Sequence, residues 1–270
     1  MRLVPDPDPD RERAIGAAAR AAIGAPLRYL DDGPDIASLV IAALWHWPRP
    51  PEGDQVAKAF CVVMAMATDA LRSARASLLI GDFGGVFVQL RRAAEMQTLA
   101  VSFGLDGAEA ERWLAGGPVS QVRLRRRIDQ DNAPLAELFR TSYSMFSDEA
   151  HGRAQALGSY ESAAGAFDWP PHADALDPAR ARASYITILA VLMGQFAVLK
   201  WMVRGWEALP AGLGGLAAAY HDGLTEFVVG HQSHGDWQAI APGQAAEWLG
   251  LVPGPHPVAG APTTSLPCDG

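Results

Sequence analysis

The chain has 270 residues, 49% of them hydrophobic, a net charge of −8 and two cysteines, Cys61 and Cys268. That is enough apolar material to fold one large or two modest domains without disulfide staples. The negative balance excludes bulk attraction to nucleic acid and leaves only a local basic patch for such a role. The two differently placed cysteines exclude a disulfide framework or a cysteine zinc site, and a reducing compartment is the default.

The N-terminal stretch MRLVPDPDPDRER is acidic and Pro-punctuated where a signal peptide needs an apolar core, so a cytoplasmic location is expected. Alternating Pro and Asp block helix and sheet ladders and repel one another, which makes residues 1–10 a disordered lead-in. A single helical domain is expected over 11–240, and a disordered Pro/Gly-rich tail over 241–270.

Arg11 to Ile23 is Ala-rich and helical by propensity, and Gly24 and Pro26 stop it. Asp35 can cap a second helix, DIASLVIAALWHW, which ends at Pro48. Its Trp45-His46-Trp47 cluster reads more simply as aromatics packed at a helix end around a hydrogen-bonded histidine than as a binding site. Asp54 to Leu79 carries Val56, Phe60, Val63, Ala67, Ala70 and Leu71 at helical spacing. Gly81 breaks it, and Gly81 to Gly104 forms the next helix, antiparallel to its predecessor around the short GDFGG link.

This helix is apolar on most sides. Val86, Leu90, Ala93, Ala94, Ala100 and Val101 cover one half, while Arg91, Glu95, Thr98 and Ser102 form a narrow polar line. Charges on an enclosed helix are expensive unless paired, so that line must meet polar partners, water or a ligand. Two short helices follow in AEAERWLAGGPVSQVRLRRRI, separated by Gly-Gly-Pro. On the second, Arg123, Arg126 and Arg127 share a face that suits a small phosphate-binding surface. The competing reading is a solvated face paired with Asp129 and Asp131, favoured by the lack of interleaved aromatic stacking platforms.

Ala133 to His151 reads as a further helix with an apolar stripe of Leu135, Leu138, Phe139, Met145 and Phe146. Beside the stripe lies a polar row, Arg140, Tyr143, Ser147 and His151, the last three recurring every four residues. Residues 158–178 form a long irregular loop. Asp177-Pro178 then starts an apolar core helix running to about Leu209. Its segment Ala183 to Leu199 is the nearest thing to a membrane span, but it is short against the usual ~20 residues, and no membrane role is expected. A last helix covers Leu213 to Val229.

Candidate chemistry gathers where the line Arg91/Glu95 could face the row Tyr143/Ser147/His151. Histidine near neutral pH serves as acid or base, serine or tyrosine supplies a hydroxyl, and arginine holds phosphate. The alternative is a buried network in which Arg91 and Glu95 neutralise each other and His151 closes a helix end. A second cluster, His231, His234 and Asp236 with His221 upstream, offers metal-binding residue types at a spacing that matches no defined ligand set, so no metal or other cofactor is expected. Neither a phosphate-cradling Gly loop nor a G-x-S-x-G or H-E-x-x-H motif is present.

The combination of Arg91-x-x-x-Glu95 in LRRAAEMQTLA, ERWLAGG with RLRRRI, and Tyr143-x-x-x-Ser147-x-x-x-His151 in YSMFSDEAH resembles a family of uncharacterised bacterial helical proteins. Those proteins carry an R-x-x-x-E helix followed by a Y-x-x-x-S-x-x-x-H helix. More distantly the chain is similar to the HEPN superfamily, whose helical bundles include ribonuclease toxins and nucleotide-binding partners. The resemblance spans about Ala70 to Gly158 and implies an all-α bundle of about eight helices with a HEPN-like core. It implies a site in which His151, Ser147, Arg91 and Glu95 act catalytically, and the helix faces add Tyr143, Arg140, Arg123, Arg126 and Arg127 as the candidate substrate-binding set. The implied activity is a metal-independent ribonuclease or other phosphoryl transfer on RNA or a nucleotide. The chain departs from the ribonuclease pattern in that Arg140 stands too far upstream of His151 and Arg153 follows it. The competing expectation is a non-catalytic interaction or homodimerisation module with a buried polar network.

Overall fold

Segments rich in Ala and Leu, punctuated by Gly and Pro, fold here as helices and nothing else. A computed structural model of the protein describes residues 9–47, 51–131, 146 and 176–232. Among the described residues there are eight α-helices and no strand: α1 (Pro9–Ile23), α2 (Arg28–Trp45), α3 (Pro51–Leu79), α4 (Phe83–Leu105), α5 (Gly107–Leu114), α6 (Gln121–Asp131), α7 (Pro178–Val203) and α8 (Ala211–Gln232). The all-α bundle expected from periodicity is what forms. The expected lead-in and tail fall outside the described residues, except that Pro9 and Asp10 already belong to α1, with Pro9 at the first helical position, where its missing N–H costs nothing.

Two helices organise the rest. α3 and α4 form the most extensive helix pair, folded back on each other through Ile80-Gly81-Asp82. Gly81 takes a left-handed φ of 76°, and Asp82 caps α4 by accepting a hydrogen bond from the Gly85 amide at 2.8 Å. α7 packs against α1, α2, α3, α4 and α8, and between Ser184 and Leu199 only Ala190 escapes full burial. Asp177 caps it, accepting from the amides of Ala179 (2.9 Å) and Arg180 (3.2 Å). The few buried amides on these helices tie them together. Gln97 Nε2 of α4 donates to the Val191 carbonyl of α7 at 3.1 Å, and Gln195 Nε2 of α7 donates to Thr68 Oγ1 and, at 3.3 Å, to the Met64 carbonyl of α3.

Two boundaries differ by more than a helical turn from the sequence expectation. α2 starts at Arg28, not at an Asp35 cap, and carries Pro34 inside it. Pro34 removes one helical donor, yet Gly33 and Pro34 are buried, with Gly33 lying under Tyr220 and Leu192, and Ser38 Oγ donates to the Pro34 carbonyl at 2.8 Å. Packing and this bond offset a local penalty that propensity alone would count as a stop. α7 ends at Val203 instead of near Leu209. Arg204 adopts a left-handed φ of 59°, Gly205 follows at 113°, and their amides donate back to Trp201 (3.1 Å) and Lys200 (3.0 Å). A short 3-10 turn, Trp206–Ala208, then leads to α8.

Among the described residues α7 is the one helix long and apolar enough to cross a membrane, and 89% of its most apolar window is buried inside the protein. That is the state of a core helix, whose apolar surface is already removed from water by its neighbours.

Candidate functional site

The apolar half of α4 forms as its sequence demands: Val86, Leu90, Ala93, Ala94, Ala100 and Val101 are all buried. The polar line on the other side is not uniform. At its N-terminal end Arg91 Nε donates to Glu95 Oε1 at 3.1 Å, and the two side chains are 19% and 25% exposed. Two turns further along the line is closed. Thr98 is buried and returns its hydroxyl to the Ala94 carbonyl at 2.8 Å, and Ser102 Oγ is wholly buried with no hydrogen-bond partner among the described residues. The line therefore runs from an accessible ion pair into the core, and any ligand must approach at Arg91 and Glu95.

That pair lies within one helix, in the less favourable order with the arginine first, and is worth at most about 0.5 kcal/mol. The guanidinium sits at a partly exposed rim, and its planar fork is the shape that suits a phosphate or carboxylate. Of the other candidates, Arg140, Tyr143, Ser147 and His151 lie outside the described residues. Their neighbour Phe146 is described: it is helical and fully buried, and its ring sits 6.2 Å from that of Phe87, one turn before Arg91 on α4. Phe146 is thus packed one turn from the accessible end of the polar line.

The basic candidates are on α6, which packs on α4 through buried Leu124 and Ile128. Arg123, Arg126 and Arg127 are exposed, as their shared face requires. Arg123 finds a partner in Glu109 of α5, at 3.0 Å. Arg112 holds the same carboxylate at 2.9 Å, so Glu109, 9% exposed, is neutralised between two guanidiniums. Sequence reasoning missed Glu109, since only tertiary folding brings α5 against α6. The one signal it offered was its i, i+3 spacing to Arg112.

The histidine candidates separate. His221 is 3% exposed, its Nδ1 lies 3.3 Å from Asp222 Oδ1, its ring meets Trp206 at 5.9 Å in an edge-on arrangement, and its Nε2 has no partner among the described residues. Burial pushes its pKa below the ordinary histidine value, opposed by the hydrogen bond with Asp222. His234 and Asp236 lie outside the described residues, and among those described no group of three or more His, Cys, Asp or Glu could hold a metal. At the end of α2, Trp47 packs on the core as expected, whereas Trp45 is 43% exposed.

No protein-family model, curated protein or solved structure matches the chain.

Proposed function

We propose that this is a HEPN-like helical protein that binds, and through His151 and Ser147 acts on, a phosphate of RNA or a nucleotide at the open end of the α4 polar line. The observation that carries the reading is the rim position of the Arg91–Glu95 pair, with Phe146 packed on Phe87 one turn away. Arg91 would take the phosphate, Glu95 would orient the guanidinium, and His151 would serve as acid or base toward a hydroxyl supplied by Ser147 or the substrate. Tyr143 and Arg140 would line the approach. Arg126 and Arg127 on α6, which also packs against α4, would add long-range attraction to a chain that is otherwise acidic.

A second reading is favoured by the hydrogen bond itself: Arg91 and Glu95 already satisfy each other, as in a non-catalytic interaction or dimerisation module whose polar residues only tie helices together. Degradation of a mixed RNA pool by the wild type, His151→Ala and Arg91→Met, each checked for folding by circular dichroism, separates the two. The phosphate reading expects the wild type to cut or retain RNA and both variants to lose this while staying folded. Absence of any RNA or nucleotide binding by a well-folded wild type, with variants that merely melt earlier, sinks it.

A further inference from the structure

α8 docks through a regular seam. Its buried positions are Gly214, Ala217, His221, Leu224 and Val228, spaced alternately by three and four residues, the pattern by which one helix inserts a stripe into its neighbours. Four of the five are small or aliphatic. The middle one is ionisable.

The surroundings of that residue are apolar on the docked side. The Trp206 ring lies against the imidazole and itself packs edge-on against Phe196 of α7 at 6.2 Å, while Gly214 lets the first turn of α8 ride directly on the Trp206 backbone. Nε2 of His221 and Nε1 of Trp206 are both buried without a partner among the described residues. A proton on Nε2 would add a charge where no acceptor waits for it. The charged groups around His221 do not rescue it. Asp222, on α8 itself, reaches only Nδ1 and is 77% exposed, and Lys200 of α7 repels an imidazolium. On the 206–208 turn the ionisable residue, Glu207, is exposed with its carboxylate against Gly205. α8 also packs on α2, whose charged residues are Arg28, Asp31, Asp32 and Asp35.

The connection to α7 is a ready pivot, because the left-handed Arg204 and Gly205 break the helix just before Trp206. The pairs α3–α4 and α4–α7 do not depend on α8 for their contacts.

We propose that α8 is an acid-released latch, docked on α2, α7 and the 206–208 turn while His221 is neutral and parted from them when the imidazole takes up a proton. An undocked histidine titrates near its ordinary value of about 6.5, and the docked one titrates lower because it is buried. Docking is therefore complete above about 6.5 and is lost as the pH falls toward the docked value, opening growing up to about tenfold per pH unit.

Hydrogen exchange of the full chain, read by mass spectrometry on peptides of 211–232 and of 178–203 and corrected for intrinsic rates, tests this between pH 7.5 and 5.5. Protection of α8 should fall at least several-fold relative to α7, and His221→Leu should remove the pH dependence. Since leucine could simply repack the seam, two further variants read the titration itself. Lys200→Met should weaken the acid-driven loss of protection and Asp222→Asn should strengthen it, opposite changes that general destabilisation does not produce. Parallel loss of protection in α7 and α8, or an unchanged pH response in His221→Leu, would overturn the latch.

Discussion

α4 and α7 are both long, apolar and central, yet they do opposite things with their polar residues. α7 encloses them: Gln195 sits at full burial and its Nε2 is spent on Thr68 and Met64. α4 grades them, from the half-open Arg91–Glu95 pair to the sealed Ser102. The difference comes from what covers each helix. α7 has neighbours on every side, whereas the N-terminal half of α4 leaves one strip at the surface, where Val88 is 44% exposed. A polar group on a fully covered helix can only hold the fold together. On a partly covered helix it can also meet a ligand.

Breaking the enclosed side should cost most. Phe196→Ala removes a fully buried ring that contacts both Trp206 and Tyr220, and should destabilise the protein by about 3–5 kcal/mol, read as a fall in the denaturant midpoint. Gly33→Ala comes next. An added Cβ would fall 2.0 Å from Tyr220 Oη and 2.7 Å from Leu192 Cδ2, and Tyr220 cannot yield freely because its hydroxyl donates to the Tyr29 carbonyl. We expect a loss of about 1–3 kcal/mol, with exchange rising in α2 and α8 before α4. Asp177→Ala strips the α7 cap and should cost about 1 kcal/mol, seen as a shift of a few degrees in Tm without change of fold.

The smallest stability effect belongs to the open side. Glu95→Gln or Arg91→Met should alter unfolding free energy by less than about 1 kcal/mol, because the pair is partly solvated and intrahelical. If the strip is a phosphate site, Arg91→Met nonetheless weakens RNA or nucleotide binding at least tenfold in a filter-retention assay, and the loss of binding far exceeds the loss of stability. A variant that loses several kcal/mol would place Arg91 with Gln195, among residues that hold helices together. The comparison drawn between the two helices would then fail.

Much of this was readable in the residues. Hydrophobic periodicity marked α3 and α4, because a buried stripe must recur with the helical period whatever it packs against, and a nearly unbroken apolar run marked α7. Gly81 and Asp177 announced a turn and a helix start because their conformational and hydrogen-bonding preferences act locally. The same periodicity put Arg91 and Glu95 together and set the α6 arginines outward. It failed wherever a distant segment changes the local balance. Pro34 reads as a stop and is carried inside α2, since the packing of Gly33 beneath Tyr220 and Leu192 outweighs one missing donor. The role of Glu109 was invisible because Arg123 stands fourteen residues along the chain and arrives only when α5 and α6 both settle against their neighbours. Likewise the place of His221 in the α8 seam beside Trp206 was not legible, because Trp206 arrives only through the turn that follows α7. Local chemistry determined that this chain is helical and where the helices run. Which polar residues are sealed, which are paired and which face water was decided by tertiary packing, because burial is a property of neighbours that no single segment contains.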